Sequence, residues 1–277
     1  MKPCMLLSLT FVVAASALPA QADEATSAPV RHELQFGDVA VAVSPFRDGL
    51  QITVGGVWVV RGCEMVVTKP PWAPHYYHGP SQPAVAGAKI ERNPDRQSIT
   101  IKHVGTADAF VGTETITLYA DSRVEQTLDG VFNGNADDCL IQWRIAAMNP
   151  ALFVGMPFEA LVDGGQSKSG RIPVVAATAE LKDTPVARGF TRLTVESRIG
   201  PLTLETDTAP KLILYDFRKD KYANPEEPLF WFGDLGTRFK KGEPIRYRIV
   251  YHLPKFTDVA ATPKSATSSA TISPRED

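Results

Sequence analysis

The chain predicts an all-β fold, a large antiparallel β-sandwich. Three observations predict it. Apolar and polar residues alternate with period two along most of the sequence, turn residues separate the alternating runs, and no sustained 3.6-residue periodicity appears. Many short runs punctuated by Gly, Pro, Asn and Asp are what antiparallel sheets packed face to face require.

Taken in order, Leu50 to Val60 places β-branched residues around Gly55-Gly56 and reads as a hairpin. Ser98–Val104 and Thr113–Tyr119 each alternate, with Gly105 to Gly112 as the turn between them. Cys139, Ile141, Trp143 and Ile145 fall on one face of a strand, opposite Gln142 and Arg144. The interval Ala176 to Arg188 is expected as one short helix or a loop. Leu193 to Glu205 reads as two strands joined at Ile199-Gly200-Pro201. The last strand is the clearest: Ile245, Tyr247, Ile249, Tyr251 and Leu253 share a face, opposite Arg246, Arg248, Val250 and His252. Between the runs, Arg47-Asp48-Gly49, Asn93-Pro94-Asp95, Asn133-Gly134-Asn135, Asp163-Gly164-Gly165 and Lys241-Gly242 supply positive φ or pre-set turns.

The ends differ from the body. Lys2 opens residues 1–22, Met5 to Leu18 form an apolar run, and Pro19-Ala20-Gln21-Ala22 supplies small residues before a cut ahead of Asp23. That is the pattern of a secretory signal peptide, and the run is shorter than the ~20 apolar residues of a membrane span. The body, 23–254, holds no Ser/Gly/Pro-rich linker and is expected as a single sandwich domain. After Pro254 the composition turns to Ala, Thr, Ser and Pro, so 255–277 is expected as a disordered tail.

The mature chain is therefore expected outside the cytoplasm, secreted or periplasmic, with no membrane span. It would carry 28 basic against 31 acidic residues, which provides no basic face for nucleic acid and no strong pull toward anionic lipid. Two cysteines remain after cleavage, and Cys63 with Cys139 is a candidate disulfide in an oxidising compartment. Two cysteines form neither a zinc cluster nor a C-x-x-C redox site.

The most unusual segment is the loop Lys69-Pro-Pro-Trp-Ala-Pro-His-Tyr-Tyr-His-Gly-Pro80. Three prolines before His75 stiffen it. Trp72, Tyr76 and Tyr77 offer flat apolar faces with polar edges, and His75 and His78 add imidazoles. Sugars present C–H patches and hydroxyls together, so Trp72, His75, Tyr76, Tyr77 and His78 form a candidate carbohydrate-binding set. The competing account is that the loop seals an open sheet end. Pro74 and Pro80 exclude a helical H-x-x-H metal pair, and no third ligand has metal spacing, so neither metal nor cofactor is expected. His32, His103 and His252 read as ordinary surface or core residues, although the fold is free to bring any of them to the loop.

A second cluster, Asp216 to Tyr222, is expected as a solvated charged loop, with Trp231 beyond it in the core. Carboxylates such as Glu114, Glu125, Asp137, Asp138, Glu159 and Glu196 are plentiful, but no pair is singled out for glycoside hydrolysis. No nucleophile elbow, P-loop or dinucleotide fingerprint is present.

The series Leu193–Leu204, Leu214–Arg218, Phe230–Gly233 and Lys241–Pro244 resembles the large β-sandwich modules of secreted bacterial glycoside-hydrolase-like proteins. Those modules are similar to galactose-mutarotase-like supersandwiches, and the resemblance covers roughly Val30 to Pro254. It implies a carbohydrate-related, secreted setting. The histidine acid and glutamate base of mutarotases match no motif here, so no catalytic residue is carried over, and a detached module is expected rather than a complete hydrolase. The leading expectation is thus a secreted, non-catalytic carbohydrate- or polysaccharide-associated protein. One alternative is a sugar epimerase or polysaccharide lyase with His75 or His78 as proton shuttle. The other is a structural or partner-binding envelope protein.

Overall fold

The computed structural model describes residues 30–45, 49–62, 64–162, 165–176, 185–207, 212–218 and 230–254. The expected signal peptide, the expected tail, Cys63, residues 177–184 of the interval expected as a helix or loop, and Lys219 to Tyr222 lie outside the described residues. The chain begins with β1 (His32–Phe36), β2 (Val39–Val43), β3 (Leu50–Val54), β4 (Val57–Arg61), β5 (Glu64–Thr68) and β6 (His75–Gly79). After a short helix α1 (Gln82–Ala86) come β7 (Lys89–Arg92), β8 (Arg96–Val104), β9 (Phe110–Tyr119), β10 (Arg123–Phe132) and β11 (Asp138–Met148). A second one-turn helix, α2 (Pro150–Phe153), leads to β12 (Pro157–Val162), β13 (Gln166–Arg171), β14 (Pro185–Arg188) and β15 (Phe190–Val195). Then follow β16 (Leu202–Thr206), β17 (Leu212–Asp216), β18 (Phe230–Lys240) and β19 (Pro244–His252).

These strands form two antiparallel sheets. One runs β1-β2-β3-β4-β11-β18-β17-β14, with β5 and β6 branching from β11; the other runs β13-β12-β15-β16-β19-β10-β9-β8-β7. Their apolar faces meet in one core, where Trp143 of the first sheet lies edge-on to Tyr247 of the second, ring centroids 4.7 Å apart. The alternation read from the sequence is the phase observed. Cys139, Ile141, Trp143 and Ile145 all point into the core, as do Ile245, Tyr247, Ile249 and Tyr251.

Four expectations are corrected. Pro185–Arg188 is a strand paired with β17, because it completes the sheet edge that β17 would otherwise leave open. His75–Gly79, expected in a loop, is a strand paired with β5. Asp216 and Arg218 are not a solvated loop: Asp216 is 2% exposed and holds Arg218 through two hydrogen bonds of 2.9 and 2.8 Å. That guanidinium also covers the Phe230 ring at 4.6 Å and reaches the Pro173 carbonyl, so packing and bidentate pairing satisfy the buried charge. Finally, Cys139 carries a free, buried thiol. Its expected partner Cys63 lies outside the described residues.

Candidate functional site

β5 and β6 make a hairpin hung on β11, and residues 69–74 form its tip. The tip is closed by its own backbone: the Lys69 amide donates to the Pro74 carbonyl at 3.0 Å, and the Trp72 amide to the Lys69 carbonyl at 2.9 Å. The Thr68 hydroxyl, buried beneath, also donates to the Pro74 carbonyl at 2.9 Å. Trp72 sits at φ 127, a conformation that costs a residue with a side chain about 1–3 kcal/mol. The residue is 43% exposed.

Strict alternation along β6 would pair Tyr76 with His78 on one face and His75 with Tyr77 on the other. The register slips instead. Val67 faces Tyr77 and Thr68 faces His75, which leaves Tyr76 as the extra residue of a bulge. Both tyrosines therefore turn inward, and both histidines turn outward with stacked rings 6.0 Å apart. Of the five residues in the expected binding set, Trp72, His75 and His78 reach the surface. Tyr76 and Tyr77 are core residues, out of reach of a ligand there.

Beside them lies a cluster that the sequence did not single out. Glu64 and Arg144 face each other across the β5–β11 ladder, Arg144 Nη2 lying 3.1 Å from Glu64 Oε1. The other carboxylate oxygen is 3.5 Å from His78 Nε2, and Arg144 Nε donates to the Gly62 carbonyl at 2.6 Å. On neighbouring β4 the Arg61 guanidinium stacks over the Trp58 ring at 4.3 Å.

Behind the hairpin runs a buried chain of polar side chains. Tyr77 Oη is 2.5 Å from His103 Nδ1, and His103 Nε2 is 2.8 Å from Glu114 Oε2. Gln126 Nε2 donates to Glu114 Oε1 at 2.6 Å, and Tyr251 Oη lies 2.8 Å from Gln126 Oε1 and 2.9 Å from the Ile145 carbonyl. Burial, and then the nearby Glu114, push the Tyr77 phenol far above its ordinary range, so it keeps its proton. The Ser81 amide already donates to its oxygen. Tyr77 therefore donates to His103 Nδ1, and Nε2 carries the proton donated to Glu114. The chain starts on β6, crosses β8, β9, β10 and β19 of the facing sheet, and ends on β11. It ties the two sheets together at both ends.

Sterics fit Tyr77 to this place. A Cβ on Gly112 or Gly130 would meet the Phe110 ring at 2.8 or 3.0 Å, and the Tyr77 ring packs on Phe110 at 5.5 Å. A narrow cavity of about 10 Å³ lies alongside, lined by Glu64, Met65, Gly79, Pro80, His103 and Glu114 among others. It has room for one water and not for a sugar ring. Among the described residues no three His, Cys, Asp or Glu side chains converge as a metal would need.

No protein-family profile matches the chain, and no curated protein does. Solved structures similar to it include the Slr1438 protein of Synechocystis sp. PCC 6803, at 8% identity and a TM-score of 0.50 over 82% of this chain and 96% of that one. Another is a GalM/aldose epimerase homologue from C. elegans, at 12% identity and a TM-score of 0.48 over 81% of this chain and 98% of that one. A third is the GH36 alpha-galactosidase AgaA of Geobacillus stearothermophilus, at 10% identity and a TM-score of 0.48 over 82% of this chain and 41% of that one. The neighbours include an aldose epimerase homologue, and the likeness to the Synechocystis protein is one of fold.

Proposed function

We propose that this is an exported, non-catalytic carbohydrate-binding β-sandwich protein whose contact surface is the β5–β6 hairpin, with Trp72, His75 and His78 as its exposed groups. The observation that carries the proposal is the exposed indole of Trp72, held at φ 127 on a tip whose following strand is anchored by two buried tyrosines. A flat indole takes the C–H side of a sugar ring, while imidazole, carboxylate and guanidinium groups beside it serve hydroxyls. A backbone already fixed loses little freedom on binding. Residues 1–22, with their charged start, apolar centre and small-residue end, support export.

The test is a panel of soluble polysaccharides read for both binding and product formation. Binding without turnover, weakened at least about fivefold in Trp72→Ala (the factor that 1 kcal/mol represents), is expected. Equal affinity in Trp72→Ala and wild type would remove the indole from the site. One observation favours an enzymatic reading in second place: His78 and Glu64 bring an imidazole and a carboxylate to 3.5 Å on this surface, a pair suited to proton transfer. Product formation that disappears in both His78→Gln and Glu64→Gln would establish an epimerase or lyase and overturn the non-catalytic reading.

A further inference from the structure

Resting on the reading above, we infer that the ligand is an extended, neutral polysaccharide, neither a free sugar nor an acidic glycan. Three features of the surface lead there. First, among the described residues nothing at this hairpin encloses a ring. A small ligand is held by burying most of its surface in a pocket of several hundred Å³. The cavity at this hairpin is about 10 Å³, and His78 beside it stands exposed at the surface. A single sugar laid on Trp72 would leave most of its hydroxyls in water and gain little.

Second, the polar groups are spread along the hairpin. Trp72 is at the tip beyond Thr68, and Glu64 is at the other end of β5. Those four residue steps from Thr68 to Glu64 are about 13 Å of strand, longer than one sugar ring. A ligand that stacks on Trp72 and also meets His78, Glu64 and Arg144 therefore has several linked rings, and the linkage lets the weak contacts add.

Third, the guanidiniums of the cluster are already engaged. Arg144 is taken by Glu64 at 3.1 Å and by the Gly62 carbonyl at 2.6 Å, and the second Glu64 oxygen faces His78 at 3.5 Å. Arg61 is stacked on Trp58. A uronate or sulfate arriving here would have to displace Glu64 from Arg144 and would then face that carboxylate. Hydroxyls need no such exchange, because a carboxylate and a guanidinium already paired still accept and donate at their free edges.

The experiment uses the full mature chain with gluco-, manno-, xylo- and chito-oligosaccharides of one to six rings, and polygalacturonate and alginate as acidic polymers. Titration calorimetry at low and high NaCl is the readout, repeated with Trp72→Ala and Trp72→Phe. Affinity for one neutral series is expected to rise at least tenfold between one ring and four and to change less than twofold with salt. It is expected to fall in Trp72→Ala and largely return in Trp72→Phe. Equal affinity for one ring and four, or preference for an acidic polymer with binding that collapses in salt, overturns the inference while leaving a carbohydrate site in place. Binding to no glycan of either charge overturns the carbohydrate reading as well.

Discussion

Replacing His103 by alanine interrupts the buried chain at its centre. The imidazole accepts the Tyr77 proton at 2.5 Å and donates to Glu114 at 2.8 Å, at 1% exposure. Its loss leaves the Tyr77 hydroxyl with no acceptor, about 1–3 kcal/mol for a buried donor, and takes from Glu114 a hydrogen bond of the charged kind, about 1.5–3 kcal/mol. Together the expected cost is about 3–5 kcal/mol, the usual range for removing one member of a buried pair. Tyr77→Phe alone leaves His103 Nδ1 without its donor and the Ser81 amide without its acceptor, and should cost about 1–3 kcal/mol. The sharp expectation concerns the double variant. Once His103 is gone, the Tyr77 hydroxyl keeps only the Ser81 amide as partner and has no acceptor for its own proton, so Tyr77→Phe in that background should cost less than in the wild type. The coupling should then be at least about 1 kcal/mol, within the range found for residues in contact.

Guanidinium denaturation of the four proteins, at constant slope, provides the cycle. Amide exchange along β6 shows where the loss falls, since Tyr77 is the hairpin's tie to the opposite sheet. An equal cost for Tyr77→Phe with and without His103, or a cost below about 1 kcal/mol for His103→Ala, would refute the hydrogen-bond assignment.

Two further outcomes follow from the geometry. Gly233 of β18 faces Arg144, and a Cβ there would meet the Trp143 carbonyl oxygen at 2.2 Å, so Gly233→Ala should cost at least about 1–3 kcal/mol and weaken glycan binding by shifting Arg144; denaturation and calorimetry check both. Burial, and then Asp138, push the Cys139 thiol up to about 12. Below about pH 8.5 folded and unfolded chains both hold that proton, and above it only the unfolded chain releases it, so stability should fall by up to about 1.4 kcal/mol per pH unit between there and pH 12. Cys139→Ala should flatten that slope, and thiol reagents at pH 8 should label Cys139 only after unfolding; a slope unchanged in the variant counts against it.

The strands and their phases were legible because period two is a local signal. The Leu50–Val60 hairpin, the inward row of β11 and the inward row of β19 needed only the alternation. What alternation does not carry is register. The bulge at Tyr76 turns two adjacent aromatics to one side, and only the mismatch of partners across the β5–β6 ladder reveals it. The pairing of Glu64 with Arg144 depends on how two strands eighty residues apart align. Whether Trp72 faces out or seals the sheet end was equally open to alternation, since the segment that carries it follows no strand period.

The buried chain left a trace that alternation alone exposes. On three successive strands a polar residue interrupts an apolar row: Ile99, Ile101, His103; then Glu114, Ile116, Leu118; then Val124, Gln126, Leu128. A buried polar group without a partner costs several kcal/mol, so three such interruptions on neighbouring strands imply that they partner one another. The register puts them in a stripe slanting across the sheet, for Glu114 faces Ile101 and Leu128 while Gln126 faces Ile116 and Ile249. Each is one pair of residues further along than the last. Tyr251 continues the slant on β19 opposite Val124, and Tyr77 closes it from the other sheet. The stripe is thus the reason β6 sits where it does. The tyrosine that anchors it faces inward, which leaves the histidines on either side of the tyrosine pair facing outward with Trp72.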